Sequence, residues 1–113
     1  MERREKGDAT ERFERLAAQP DEQRYVLRLY ISGLTPRSTK ALATIRQVCQ
    51  DRLQDRYQLE VIDLFQSPDL AETDEIIATP TLVKELPQPL RRLVGDLSNV
   101  ERLLVGLNLR KRE

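Results

Sequence analysis

The sequence predicts a single α/β domain, and three observations predict it. Two β-branched apolar runs, Tyr25–Ile31 (YVLRLYI) and residues 59–65 (LEVIDLF), flank a helical stripe of apolar residues. Strand, helix and strand at this spacing make a βαβ unit, so the two strands should run parallel with a right-handed crossover. The chain has 113 residues, 39% of them hydrophobic, which suits one core of ordinary size.

The elements can be justified in order. Residues 1–7 are nearly all charge. Asp8 and Glu11 then read as a capping box, and Phe13, Leu16 and Ala17 give a narrow apolar stripe ended by Pro20-Asp21. Residues 1–24 therefore read as a charged extension, partly helical or disordered, since isolated helices this short are weak. Tyr25–Ile31 carries one charge, Arg28, and so reads as a central strand covered on both faces. Ser32-Gly33-Leu34 is a turn. Thr35 is an N-cap, followed by Pro36 at the first helical position, where a missing N–H costs nothing. The helix runs to about Arg52, with Ala41, Leu42, Ile45, Val48, Cys49 and Leu53 along one side. After the second strand, Ser67-Pro68 repeats the cap-and-proline signal ahead of a short helix through Leu70, Ala71 and Asp74. Thr79-Pro80 then leads into a strand over Thr81–Leu86; Pro80 cannot donate to a ladder and belongs at that strand's start or on an edge.

The last third supports two readings. Leu90, Leu93, Val94 and Leu97 sit at helical spacing, as do Val100, Leu103, Leu104 and Leu107 behind a capping box from Ser98 to Glu101. Yet residues 91–95 (RRLVG) also read as an edge strand ending in a turn, and residues 104–109 (LVGLNL) as a strand containing a glycine. Period alone does not choose between strand-then-helix and helix-then-strand. A segment with two matched readings suits a bistable element.

Composition excludes several chemistries. Nineteen basic and nineteen acidic residues cancel, whereas a dedicated nucleic-acid binder needs a basic surplus. Without histidine there is no imidazole base for a Ser or Cys nucleophile, and Cys49 alone builds neither a zinc site nor a disulfide within the chain. No secretory signal or membrane span is visible, so a cytoplasmic location is the expectation. Asp63, Asp69, Glu72, Asp74 and Glu75 lack the loop of a calcium site and read as caps and surface acids. Cys49 reads as a buried small hydrophobe, and the scattered glycines form no phosphate loop. No metal or cofactor is expected, and function should reside in surfaces.

A βαβ unit, a short helix and a strand opening with Thr79-Pro80 resemble the thioredoxin fold, in which a cis-proline occupies the position of Pro80. The turn where that fold carries C-x-x-C is here Ser32-Gly-Leu-Thr-Pro-Arg37, without a thiol. The resemblance narrows further over residues 25–109. YVLRLYISGLTPRSTKAL, ATPTL and the P-x-P-x-RR-x-x-GDLS stretch closely resemble the KaiB family of circadian clock proteins. That resemblance implies a non-enzymatic regulator that binds the ring ATPase KaiC and through it biases KaiA and output kinases. It also implies two interconverting folds: a thioredoxin-like βαβαββα monomer that binds KaiC, and a βαββααβ form that assembles as dimers or tetramers. The two differ in the C-terminal half, where the residues alone left strand and helix open.

Residue by residue, the resemblance implies partner-binding cations at Lys40, Lys84 and Arg92, with Arg91 beside the last, and fold-balance positions at Tyr25, Gly106 and Asn108. Asn108 stands where aspartate is usual and Lys40 where arginine is common. Two substitutions follow as expectations. Tyr25→Ala with Gly106→Ala shifts the balance toward the monomer, and Lys84→Glu weakens KaiC association without changing the oligomer. The basic tail over residues 110–113 and the extension over residues 1–24 depart from familiar members. They suggest a divergent branch whose partner is a KaiC paralogue and whose output is stress adaptation rather than a daily rhythm. The other readings are a thioredoxin-like sensor module for a histidine kinase and an enzyme using carboxylates alone; nothing clusters as an acid/base pair for the latter.

Overall fold

A computed structural model describes residues 24–109. The expected helix near residues 8–17 and the basic tail at 110–113 lie outside them. The element order is β1 (Tyr25–Ile31), α1 (Pro36–Arg52), β2 (Tyr57–Asp63), α2 (Asp69–Thr73), β3 (Thr81–Leu86), β4 (Arg91–Val94) and α3 (Val100–Gly106). The four strands form one sheet in the order β2-β1-β3-β4. β1 pairs parallel with β2, as the βαβ spacing predicts, and antiparallel with β3; β4 pairs antiparallel with β3. Over the last third the structure takes the strand-then-helix reading.

Period-2 alternation in β1 sends Tyr25, Leu27, Leu29 and Ile31 into the main core, under α1 and α3. From α1 come Ala41, Ile45, Val48 and Cys49, followed by Leu53; α3 adds Leu103 and Leu104, followed by Leu107. The opposite face of the sheet is covered less completely than a doubly buried strand requires. α2 has only five residues, so a small second cluster of Tyr30, Leu64, Ile76 and Val83 forms beneath it. Beyond its reach Arg28 stays half-buried and pairs with Glu60 at 3.5 Å and Glu85 at 3.3 Å, across β2, β1 and β3.

Three local expectations are corrected. The second strand covers Tyr57–Asp63 rather than residues 59–65, because the Asp63 side chain ends it by accepting from the amide of Phe65 at 2.9 Å. Ser67 does not cap α2 through its side chain: Pro68 is the cap residue, and the Ser67 carbonyl accepts from the Leu70 amide. At α3 the cap is Asn99, accepting from the Arg102 amide at 3.1 Å, because Ser98 is turned back onto Asp96. Thr35 caps α1 as expected, accepting from Ser38 N at 3.1 Å.

Helix ends were less legible. All three helices among the described residues stop through a residue in the left-handed region, and none of these residues is glycine: Gln54 (φ 53°), Glu75 (φ 58°) and Asn108 (φ 58°). Each is followed or joined by an amide reaching back to a carbonyl of the last turn, as Leu109 N does to Leu104 O at 2.8 Å and Ile76 N to Ala71 O at 2.8 Å. Asparagine tolerates this conformation better than most residues. Asn108→Gly should therefore preserve or raise stability, whereas Asn108→Val should cost about 1–2 kcal/mol through its β-branch at positive φ. Urea midpoints of the two variants check the order; equal midpoints would contradict it.

Candidate interaction end and C-terminal switch region

The turns after β1 and β2 and the loop before β3 all lie at one end of the sheet, because β1 and β2 are parallel and β3 opposes them. Each carries a large apolar side chain in water: Leu34 is 80% exposed, Phe65 82% and Ile77 97%. Polar side chains fix the backbone beneath them. Asp63 Oδ1 accepts from Gly33 N and from Phe65 N, both at 2.9 Å, so one carboxylate oxygen ties the first two turns together. Thr79 Oγ1 lies 3.3 Å from Ser32 Oγ, and Thr81 Oγ1 donates to the Ala78 carbonyl at 2.6 Å. The Thr79–Pro80 bond is cis, as are Leu86–Pro87 and Gln88–Pro89. These exposed apolar residues were not singled out from sequence; the available signal was a lone large hydrophobe within each turn.

The four cations named from sequence do not converge. Lys84 and Arg91 are register partners on β3 and β4, on the core-facing side of the sheet beside Leu82 and Leu27. Lys84 is not a surface residue: it is 1% exposed, and burial first, then the neighbouring Arg91 charge, lowers its ammonium pKa. The expectation for Lys84→Glu as a simple charge reversal is thereby corrected, since it would set a carboxylate among core aliphatics. Arg91 is exposed and carries the charge test instead. Arg92 points to the other face, where Nη1 donates to Glu75 O at 2.7 Å and Nη2 to Asp74 O at 3.0 Å. Lys40, on α1, lies toward the opposite end from Lys84, where its charge and that of Arg102 help Ser98 hold the Asp96 carboxyl below the usual range.

By contrast, Tyr25, Gly106 and Asn108 come together at the C-terminal end of α3. Tyr25 Oη donates to Leu107 O at 2.9 Å, a buried bond across 82 positions. Its hydroxyl is pushed up by burial, partly offset by Arg56. A Cβ on Gly106 would stand within 3.1 Å of Leu93 Cγ and closer still to both Leu93 methyls. Alanine would gain roughly 1 kcal/mol of helix propensity there but would require Leu93 to swing off its site on β4. In this fold Tyr25→Ala forfeits both the bond and the packing. The shift expected for the pair toward the monomer therefore needs the alternative fold to lose more.

Cys49 is buried in the main core, and burial pushes its thiol up to about 12, so no thiolate is present at neutral pH. Among the described residues no group of three potential ligands could hold a metal ion, and no helix is long and apolar enough to cross a membrane.

The KaiB domain family matches residues 28–109. The chain belongs to the KaiB family. Circadian clock protein KaiB3 of Synechocystis sp. is 49% identical over 89 residues, 79% of this chain and 87% of the relative. Circadian clock oscillator protein KaiB of Prochlorococcus marinus is 53% identical over 85 residues, 75% of this chain and 73% of the relative. Among solved structures, the N-terminal domain of Synechococcus elongatus SasA matches with a TM-score of 0.63 at 24% identity, covering 86% of this chain and 95% of that one. Mitochondrial thioredoxin 3 of Saccharomyces cerevisiae gives 0.60 at 18% identity, covering 78% and 80%. The fold of this KaiB-family chain is thus thioredoxin-like, while its turn at residues 32–37 has no cysteine.

Proposed function

We propose that this KaiB-family chain is a non-enzymatic clock or stress regulator that docks on a KaiC-type ring ATPase through the end bearing Leu34, Phe65 and Ile77. The observation that carries the reading is three large apolar side chains held in water by turns whose backbones are fixed by Asp63 and Thr81. Such ordering lowers the entropic cost of association, and apolar side chains of this size make good anchors. Family membership supports the choice of partner. Arg91 adds an exposed positive charge on a different part of the surface and serves as a steering group.

Under this reading the strand-then-helix order over residues 91–106 is the partner-competent form, favoured when the ATPase captures it from an oligomeric alternative. Tyr25, Gly106 and Asn108 set that balance from the end of α3. The alternative reading, a thioredoxin-like sensor module for a histidine kinase, has only the thioredoxin-like fold behind it, and the likeness to solved structures at 24% identity and below extends to fold alone.

Titration of a KaiC-type ATPase ring tests the proposal. Phe65→Asp with Ile77→Asp should weaken binding at least about tenfold, roughly 1.4 kcal/mol, with little change in the unfolding midpoint because both side chains are already in water. Arg91→Glu should chiefly slow association and reduce its salt dependence. Undiminished affinity of the double variant would remove this end of the molecule from the interface.

A further inference from the structure

Resting on the docking end just proposed, we propose that Arg92 is a positioning residue: its guanidinium fork sets the α2–β3 loop that presents Ile77, and does not itself grip the partner. Both terminal nitrogens of Arg92 are engaged by main-chain carbonyls 17 and 18 positions earlier, Glu75 O and Asp74 O. A planar fork presents one fixed N–H to each of two adjacent carbonyls, whereas an ammonium must serve both from one freely rotating nitrogen on a flexible stem.

The loop needs an external hold. Glu75 is a non-glycine residue at φ 58°, a conformation that L side chains resist. That reversal ends α2 and separates the next two side chains. Ile76 turns into the second core cluster, while Ile77 is 97% exposed. If Glu75 relaxed toward ordinary backbone angles, the direction of both isoleucines would change. Two further contacts steady the same point: Tyr30 Oη donates to Asp74 Oδ2 at 2.7 Å, and Ile76 N donates to Ala71 O at 2.8 Å. Arg92 thereby connects edge strand β4 to a loop on the sheet's far face. The end of a helix also carries partial negative charge on its carbonyls, which favours a cation there.

The test uses the full chain with Arg92→Ala, Arg92→Lys, and Arg92→Ala combined with Glu75→Gly. Amide exchange is measured on the free protein and affinity on a KaiC-type ring. Arg92→Ala should speed exchange at Ile76 about tenfold while the amides of Leu29 and Leu103 hold, a local opening rather than global loss. Ring affinity should fall by about tenfold. Arg92→Lys should resemble Arg92→Ala, because the charge is kept but the fork is lost. Glu75→Gly removes the strain that the fork holds and should recover at least half of the lost protection. Wild-type affinity in Arg92→Lys, or unchanged exchange at Ile76 in Arg92→Ala, would overturn the positioning role. Faster exchange with unchanged affinity would overturn presentation by this loop. A wild-type chain that fails to bind the ring would sink the docking reading itself, and the proposal with it.

Discussion

Leu103→Ala should lower the stability of the domain by about 3 kcal/mol and release its C-terminal helix first. Leu103 is 0% exposed, in the main core with Leu104 and Leu107 and the facing residues of α1 and β1. α3 has seven residues, too few to persist unless docked. Its other anchors are the Asn99 cap, the Tyr25–Leu107 bond and the left-handed stop at Asn108. Removing the central side chain leaves a cavity and weakens all three together. Since small domains are stable by about 5–15 kcal/mol, the loss is a large fraction of the total. Chemical denaturation should show it, and native-state exchange should rise more over residues 100–107 than over β1. A change below about 1 kcal/mol would mean that α3 contributes little to the fold.

The second large effect concerns alkaline pH. In the folded chain burial holds the Cys49 proton, raising the thiol from its ordinary 9.0 to about 12. Between those values the unfolded chain has released a proton that the folded chain retains. Raising pH through this window therefore favours unfolding, by roughly 1.4 kcal/mol per pH unit from this group. The contribution is complete below pH 9.0 and is lost progressively toward 12. Tyr25 and Tyr30, both raised chiefly by burial, act in the same direction above pH 10.0. Lys84, lowered by burial, acts oppositely on approach to 10.5. Comparing wild type with Cys49→Ala isolates the thiol. Between pH 8 and pH 11 the wild type should lose about 3 kcal/mol more than the variant. Parallel pH profiles would show that burial between α1 and the sheet does not hold the proton on the thiol.

Several elements were legible because their signals are local. Thr35-Pro36 placed the start of α1, and the apolar stripe from Ala41 to Leu53 placed its buried side. The run YVLRLYI placed β1, and TLVKEL placed β3. The candidate site was legible in part. Tyr25, Gly106 and Asn108 proved to be neighbours, while Lys84 is buried and Arg92 is committed to Asp74 and Glu75. No one-dimensional pattern reveals that Arg92 meets carbonyls 17 and 18 residues away, or that Lys84 is buried on the core-facing side of β3.

The sequence by itself determined the βαβ unit, the family, and the absence of an imidazole or of a second thiol, because each depends on residue identity and short spacing. The tertiary structure decided how residues 91–106 fold. Leu93 and Leu104 satisfy either period, and they are settled only by what they meet: β3 on one side, and the core beneath α1 on the other. It also decided which polar groups remain available to a partner. Hydrogen bonding and burial are set by groups far apart in the chain, so a charge that looks free in one dimension can already be occupied in three.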